Sequence, residues 1–308
     1  MTPRALAVLA AVGAAALAGG WYFGAATKPQ QVQVDTGQLM FPGLAARLKD
    51  AARIEIVNKG KTTVLAPANG VWGLADKGGY RVIDTKIRGM LTALTELRLM
   101  EPRTADPDQL KRLGVDDPRG VDSNANLLRL LDAQGKPILE VVTGHRRVRT
   151  QAKVAEQVYV RRPGETQAWL AEGSLQVDAD PQLWLEREVA NIESKRIVSA
   201  ETSRAGGETL KFARKDDKLA LVDPAEHPPL DEYRVDDVAR ALEFLNLQDV
   251  QPDSAPVGEA VGQGVFATAD GLTATVRVFK GEKDIYARLS FSGADAASRY
   301  RSSGSAIA

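Results

Sequence analysis

The chain contains no cysteine. Disulfides, thiolate metal sites, a cysteine nucleophile and lipid attachment through cysteine are therefore all excluded. Histidine is nearly as scarce. His145 and His227 are the whole supply, and neither has a His, Asp or Glu partner at metal-ligand spacing, so both read as surface residues. Net charge is missing too: 40 Lys and Arg balance 40 Asp and Glu, which leaves no global field to attract nucleic acid. Gly60-Lys61-Thr62 looks like the end of a phosphate loop, but the position that needs the first glycine is Glu55. Gly258, Gly262 and Gly264 lack the dinucleotide-binding spacing, and no Gly-x-Ser-x-Gly elbow occurs. No cofactor is implied.

The charged residues that are present have structural readings. Asp106 can cap a short helix from Pro107, with Gly114 ending it, and Asp116-Asp117-Pro118 reads as a turn. No carboxylate pair is specific enough to be an acid–base couple. The densest basic run is His145-Arg146-Arg147-Val148-Arg149, with Arg161 and Arg162 placed to lie across a hairpin from it. A solvated edge accounts for this run; the functional alternative is a contact for an anionic partner through Arg146, Arg147, Arg149, Arg161 and Arg162. Trp72, Trp169 and Trp184 each sit inside an apolar pattern and read as core.

What the chain has in abundance is one apolar run, residues 5–23, without a charge. As a helix it would span ~28 Å, close to a hydrocarbon core of ~30 Å. Arg4 precedes it and Lys28 follows, which predicts a cytoplasmic N-terminus and an exported body. Leu6, Leu9, Leu17, Trp21, Tyr22 and Phe23 would belong to the anchor, with Trp21 and Tyr22 at the outer interface. Small-residue triplets at 16–18 and 24–26 offer cleavage sites, so a secretory signal is the competing reading. The length favours an uncleaved anchor over residues 1–27, followed by a spacer over 28–38.

The remainder reads as α+β: a duplicated unit of antiparallel sheet with one packed helix per copy, residues 39–192 and 193–293. In the first copy Ile54 and Ile56 alternate with Glu55, Lys59-Gly60 turns the chain, residues 62–65 and 71–74 make two more strands, and Ile87, Met90, Leu91, Leu94 and Leu97 recur at helical spacing. Asp84 or Thr85 can cap that helix. In the second copy Ile197 and Val198 open the pattern, residues 209–212 and 219–222 follow, and Asp236 or Asp237 is expected to cap a helix bearing Val238, Ala241, Leu242 and Leu245. TELRLMEP at 95–102 and EFLNLQDVQP at 243–252 close the two helices alike. Hairpins are predicted over 127–144, 158–170 and 265–292, and Asp180 is expected to cap a helix over 181–187. The small, polar residues 294–308 are expected to form a disordered or truncated tail.

LMFPGLAARLKDAARI at 39–54, WGL at 72–74, LRLMEPRTAD at 97–106, RLG at 112–114, YVRRPG at 159–164 and WLAEGS at 169–174 together resemble the bacterial domain-of-unknown-function family 4340 (DUF4340). The resemblance covers nearly all of the chain after the apolar run and carries no catalytic motif. It implies a membrane-anchored envelope protein, similar to proteins encoded beside an ABC-type transport system of the gliding-motility auxiliary kind. The expected role is a non-catalytic periplasmic accessory or scaffold protein at the bacterial inner membrane, single-pass, partnered by a membrane complex such as an ABC-type permease. An envelope-glycan or anionic-lipid binding module using the arginine run is the alternative, and a hydrolase with dispersed carboxylates ranks last.

Overall fold

Strand alternation builds the first half of the molecule. The computed structural model describes residues 37–68, 70–148, 155–293 and the backbone of 305–307. Strand β1 (Arg53–Asn58) buries Ile54 and Ile56 on one face and turns Glu55 and Val57 to the other. It is followed by β2 (Lys61–Ala68), β3 (Val71–Leu74), β4 (Tyr80–Arg81), β5 (Arg98–Pro102), β6 (Asn126–Leu131), β7 (Pro137–Arg147), β8 (Gln157–Arg161) and β9 (Ala168–Glu172). These run in the order β5-β9-β8-β7-β6-β1-β2-β3-β4, each antiparallel to its neighbours. The register sets Ile54 opposite Leu130 and Leu130 opposite Leu139, and Ile56 opposite Leu128 and Leu128 opposite Val141. With Val158 and Val160 these side chains make one continuous buried face.

Three helices accompany this sheet: α1 (Leu44–Arg47), α2 (Asp84–Glu96) and α3 (Pro107–Leu113). α2 buries the stripe Ile87, Met90, Ala93 and Leu94 and leaves Arg88, Gly89 and Thr92 in water. α3 lies on the opposite sheet face, where Leu110 and Leu113 join Val57, Leu127 and Val142 in a second apolar cluster. Gly144 permits this approach, because a Cβ there would lie 2.2 Å from the Leu113 carbonyl oxygen. Beside that cluster the same face carries a charged ladder: Arg129 pairs with Glu140 at 2.7 Å and Glu55 at 3.1 Å across three adjacent strands.

The second half contributes β10 (Glu188–Ala190), β11 (Ile197–Arg204), β12 (Thr209–Lys215), β13 (Lys218–Asp223), helix α4 (Glu232–Arg240), β14 (Leu245–Asn246), β15 (Val250–Pro252), β16 (Glu259–Thr268), β17 (Thr273–Lys280), β18 (Ile285–Ser292) and β19 (Ser305–Ile307). Its sheet has the order β13-β12-β11-β16-β17-β18-β19-β15. Read from β3, the first sheet runs β3-β2-β1-β6-β7-β8-β9-β5, the same path with every label lowered by ten. Phe212, Leu219, Phe266, Ala274 and Leu242 form the second core, and Val235, Val238 and Ala239 of α4 pack on it. The junction is hydrogen-bonded. β10 pairs with β14, Ile192 N–H donates to Leu242 O at 2.9 Å, Leu247 N–H to Arg187 O at 2.9 Å, and Lys77 meets Asp249 at 2.8 Å. Residues from Leu39 onward belong to one compact unit.

The structure corrects the expected architecture. The described chain is mostly antiparallel sheet, and the expected single helix per copy fails in the first half. Strands hold more of it than helices do, and the first half has three helices, two of them too short, at four and seven residues, to show a period in sequence. Among the described residues no helix is long and apolar enough to cross a membrane. The run 5–23 with Leu6, Leu9, Leu17, Trp21, Tyr22 and Phe23 lies outside the described residues. The second helix also starts earlier than expected. Asp231, not Asp236 or Asp237, is its cap, accepting from Tyr233 N–H, and the helix ends at Arg240 while Leu245 enters a strand. α2 starts after Ile83 with no side-chain cap. The 181–187 helix is a single 3-10 turn, Pro181–Trp184, capped by Asp180. Within the tail expected to lack structure, Ser305–Ile307 pairs with β15; residues 294–304 and 308 lie outside the described residues.

Candidate functional site

The two sheets differ at the edge formed by β3 and β13. In the first half β3 is not the last strand, because β4 pairs with it. Val82 N–H donates to Trp72 O at 3.1 Å and Gly79 N–H donates to Leu74 O at 3.0 Å, so the outward carbonyls of β3 are occupied. Gly73 makes room for that covering turn: a Cβ on it would lie 2.3 Å from the Gly79 carbonyl oxygen. β13 stands in the same place in the second half. Its hairpin closes on the pair Lys215–Lys218, as the first closes on Ala68–Val71, so Leu219, Ala220 and Leu221 occupy the positions of Trp72, Gly73 and Leu74. Ala220 thus carries a methyl where the first half requires none. Among the described residues no strand pairs with the outer edge of β13.

Which backbone groups this leaves open follows from the hairpin. The pair that closes a two-residue β-turn exchanges hydrogen bonds, and such pairs alternate along the ladder. Lys218 and Ala220 therefore point their N–H and C=O groups toward β12, and Leu219 and Leu221 point theirs outward. A cavity of about 860 Å³ lies alongside. Four consecutive residues of β13, Lys218, Leu219, Ala220 and Leu221, line it. Side chains alternate between faces in a strand, so a cavity lined by four in a row follows the edge rather than one face.

The facing wall is the loop before α4 and the first turns of α4. Leu230 and Tyr233 line it and are 42% and 86% exposed, large apolar groups held in water. The carboxylates there are ion-paired: Asp231 with Arg234 at 3.8 Å, Asp236 with Arg240 at 3.9 Å, and Glu232 with Lys218. Glu232 reaches Lys218 at 3.1 Å, but both are largely exposed, so the contact is weak. His227 also lines the cavity, with Nδ1 2.9 Å from the Pro228 carbonyl oxygen. The site combines open main-chain groups, an apolar floor and a rim of ion-paired carboxylates. It holds no nucleophile–base pair, and among the described residues no group of three or more His, Asp or Glu gathers to hold a metal.

The arginines singled out from sequence are not gathered into one patch. Arg161 is fastened to the backbone: Nε donates to Val115 O at 2.7 Å, Nη1 to Glu165 O at 2.9 Å and Nη2 to Asp116 O at 3.0 Å. Burial lowers its pKa, against the raising effect of Asp117 and Asp116. Arg162 donates to Met40 O at 2.9 Å. Arg146 pairs with Glu156 at 2.6 Å and reaches Gln176 at 3.2 Å. Arg147 is exposed at the end of β7, opposite Gln157. Arg149 lies outside the described residues. Three of the five thus serve to tie loops and strands together. His145 is exposed, Asp106 caps α3, and Asp116 accepts from Ser123 Oγ at 2.8 Å.

The edge of β13 was not legible as a site. Its sequence, KLALVD, reads only as a strand; openness at an edge depends on sheet order. The one local signal was the exchange of glycine for alanine between WGL and LAL in the two hairpins. A family model described as a domain of unknown function (DUF4340) matches residues 72–262, from β3 to within β16 and across the whole of the β13–α4 site. No curated protein and no solved structure matches the chain.

Proposed function

The chain belongs to the DUF4340 family, and on that premise we propose that it is a non-catalytic accessory or scaffold protein on the periplasmic side of the bacterial inner membrane, partnering an ABC-type transport system. The observation that carries this reading is the open edge of β13 beside Leu230 and Tyr233, a surface built for contact with another chain. The uncharged run ahead of Lys28 supports export of the body. The transport partner rests on the family resemblance. The arginine run gives the glycan or lipid alternative less support, because Arg161 and Arg162 are engaged by carbonyls and Arg146 by Glu156.

The test is capture of the full chain from its own membranes in mild detergent, beside a Leu230→Glu/Tyr233→Glu variant. Subunits of a transport complex should come with the wild-type chain and be lost with the variant. Recovery of the wild-type chain alone and monomeric would overturn the proposal. Both residues are substantially exposed, so the variant should fold.

A further inference from the structure

We infer that the groove over Val276, Val278 and Leu289 in the second half receives an extended segment of a partner protein, laid across the strands with apolar side chains two residues apart. This surface is separate from the edge of β13 and goes beyond the reading above.

The first half shows what such a face accepts. After β9 the chain turns back and crosses its own sheet. Gly173 starts the crossing against the end of α2: a Cβ there would lie 3.0 Å from Leu97 Cδ1 and 4.0 Å from Ala93 O. Gln176 Oε1 then accepts from Arg146 at 3.2 Å, Val177 O from Asn126 Nδ2 at 2.9 Å and Ala179 O from Thr63 Oγ1 at 3.3 Å, on β7, β6 and β2 in turn. Leu175 is buried within this crossing, and Ile56, Leu128, Val141 and Thr143 are buried on the strands.

The second half repeats these landmarks. Ile87, Met90, Ala93, Leu94 and Leu97 recur with identical spacing as Val235, Val238, Ala241, Leu242 and Leu245. The turns between the central strands match as well: Asp132 N–H donates to Lys136 O at 3.0 Å, and Thr268 N–H to Leu272 O at 2.9 Å. Gly262 therefore stands where Asn126 stands. Ala241, Leu245 and Gly262 correspond to the three residues that mark the first path, Ala93, Leu97 and Asn126, and all three line one cavity of about 410 Å³. Val276 and Val278, the counterparts of Val141 and Thr143 in the ladders, remain partly exposed on its floor. Residues 173–180 are held on the first sheet, so this second face is left for another chain.

The lining selects the occupant. It is apolar apart from Thr202, Ser203 and Gln263 at one end. A charged side chain would lose its hydration there without a partner. Alternate side chains of an extended segment fall on one side, so apolar residues two apart can enter together. Thr202 and Gln263 bring a hydroxyl and an amide to main-chain carbonyls, as Thr63 and Asn126 do in the first half.

The experiment uses the full chain in mild detergent and a fluorescent peptide with the sequence of residues 173–182, GSLQVDADPQ, followed by anisotropy. It is compared with a peptide carrying Leu175→Asp and Val177→Asp, and with three protein variants: Ala287→Phe, which fills the groove, Val278→Asp, which charges it, and Leu230→Glu/Tyr233→Glu. Binding should weaken about tenfold or more with the altered peptide and in the two groove variants, and stay unchanged in the last. The peptide comparison leaves the protein untouched, and the groove variants separate this face from the first sheet. No saturable binding, equal binding of the two peptides, or loss of binding in Leu230→Glu/Tyr233→Glu would overturn the inference. A dimer of the full chain that the peptide dissociates would put a second copy in the groove and overturn the partner. Membrane capture through Leu230 and Tyr233 is a separate readout, so either claim can fail while the other stands.

Discussion

The two halves follow the same path through eight strands but finish it differently. In the first, β4 closes the outer edge, α2 buries four residues, and α3 covers part of the second face. In the second, no described strand lies outside β13, and α4 buries only Ala239. Past the end of α4, a further cavity of about 410 Å³ opens over Phe266, Val276, Val278 and Leu289. Strand burial shows the same contrast. β7 is buried at Ile138, Leu139, Val141, Val142 and Thr143, whereas its counterpart β17 is buried only at Ala274. One half is finished as a core; the other keeps apolar surface and main chain available. In a duplicated topology this is how one copy can hold the structure while the other meets a partner.

The largest expected effect probes packing. Met90→Ala in α2 should cost about 2–5 kcal/mol, since the buried side chain leaves a cavity that the first half cannot collapse. Val238→Ala in α4, partly buried, should cost about 1 kcal/mol or less. Urea unfolding followed by tryptophan fluorescence measures both, and equal costs would remove the distinction between the halves.

Next comes the edge. Gly73→Ala should destabilise the chain by about 1–3 kcal/mol and free the Gly78–Gly79 turn, giving the first half an open edge like the second. The reciprocal Ala220→Gly should cost only about 0.5–1 kcal/mol, the backbone entropy of glycine in a strand. Amide exchange at Gly79 and Val82 reports whether the covering turn has lifted.

The smallest effect concerns pH. Glu243 accepts the Ser194 N–H at 2.6 Å and pairs with Arg240 at 3.0 Å; the Ser194 hydrogen bond is the main cause holding its carboxyl below the ordinary glutamate range. A carboxyl with a depressed folded pKa contributes stability that is complete above the ordinary value and lost as pH falls through the folded one. Acidification below about pH 4.5 should therefore loosen the start of the second half, and Glu243→Gln should flatten that part of the stability profile. A Glu243→Gln profile as steep as wild type would remove this role.

Sequence reasoning reached the elements whose signal is local. The alternation of Ile54 and Ile56 and the helical spacing of Ile87, Met90 and Leu94 each report burial of one face, which is a property of neighbours in the chain. Caps were legible where one candidate stood alone, as with Asp106 and Asp180. They misled in DEYRVDD at 231–237, where three aspartates compete and only the hydrogen bond to Tyr233 N–H decides. β10 and β14 escaped notice because strands of three and two residues show no period. The site lay beyond reach for a different reason. Whether Leu219 and Leu221 face another strand depends on sheet order, and whether Arg161 meets a ligand or the carbonyls of Val115 and Asp116 depends on residues forty-odd positions away.

The central claim is that the outer edge of β13 offers open main-chain groups beside Leu230 and Tyr233, and amide hydrogen exchange at Leu221 tests it most directly. In the free chain this amide should exchange as fast as an unpaired edge N–H, while that of Ala220, turned toward β12, is protected. A Leu221 amide already protected in the free chain would contradict the account.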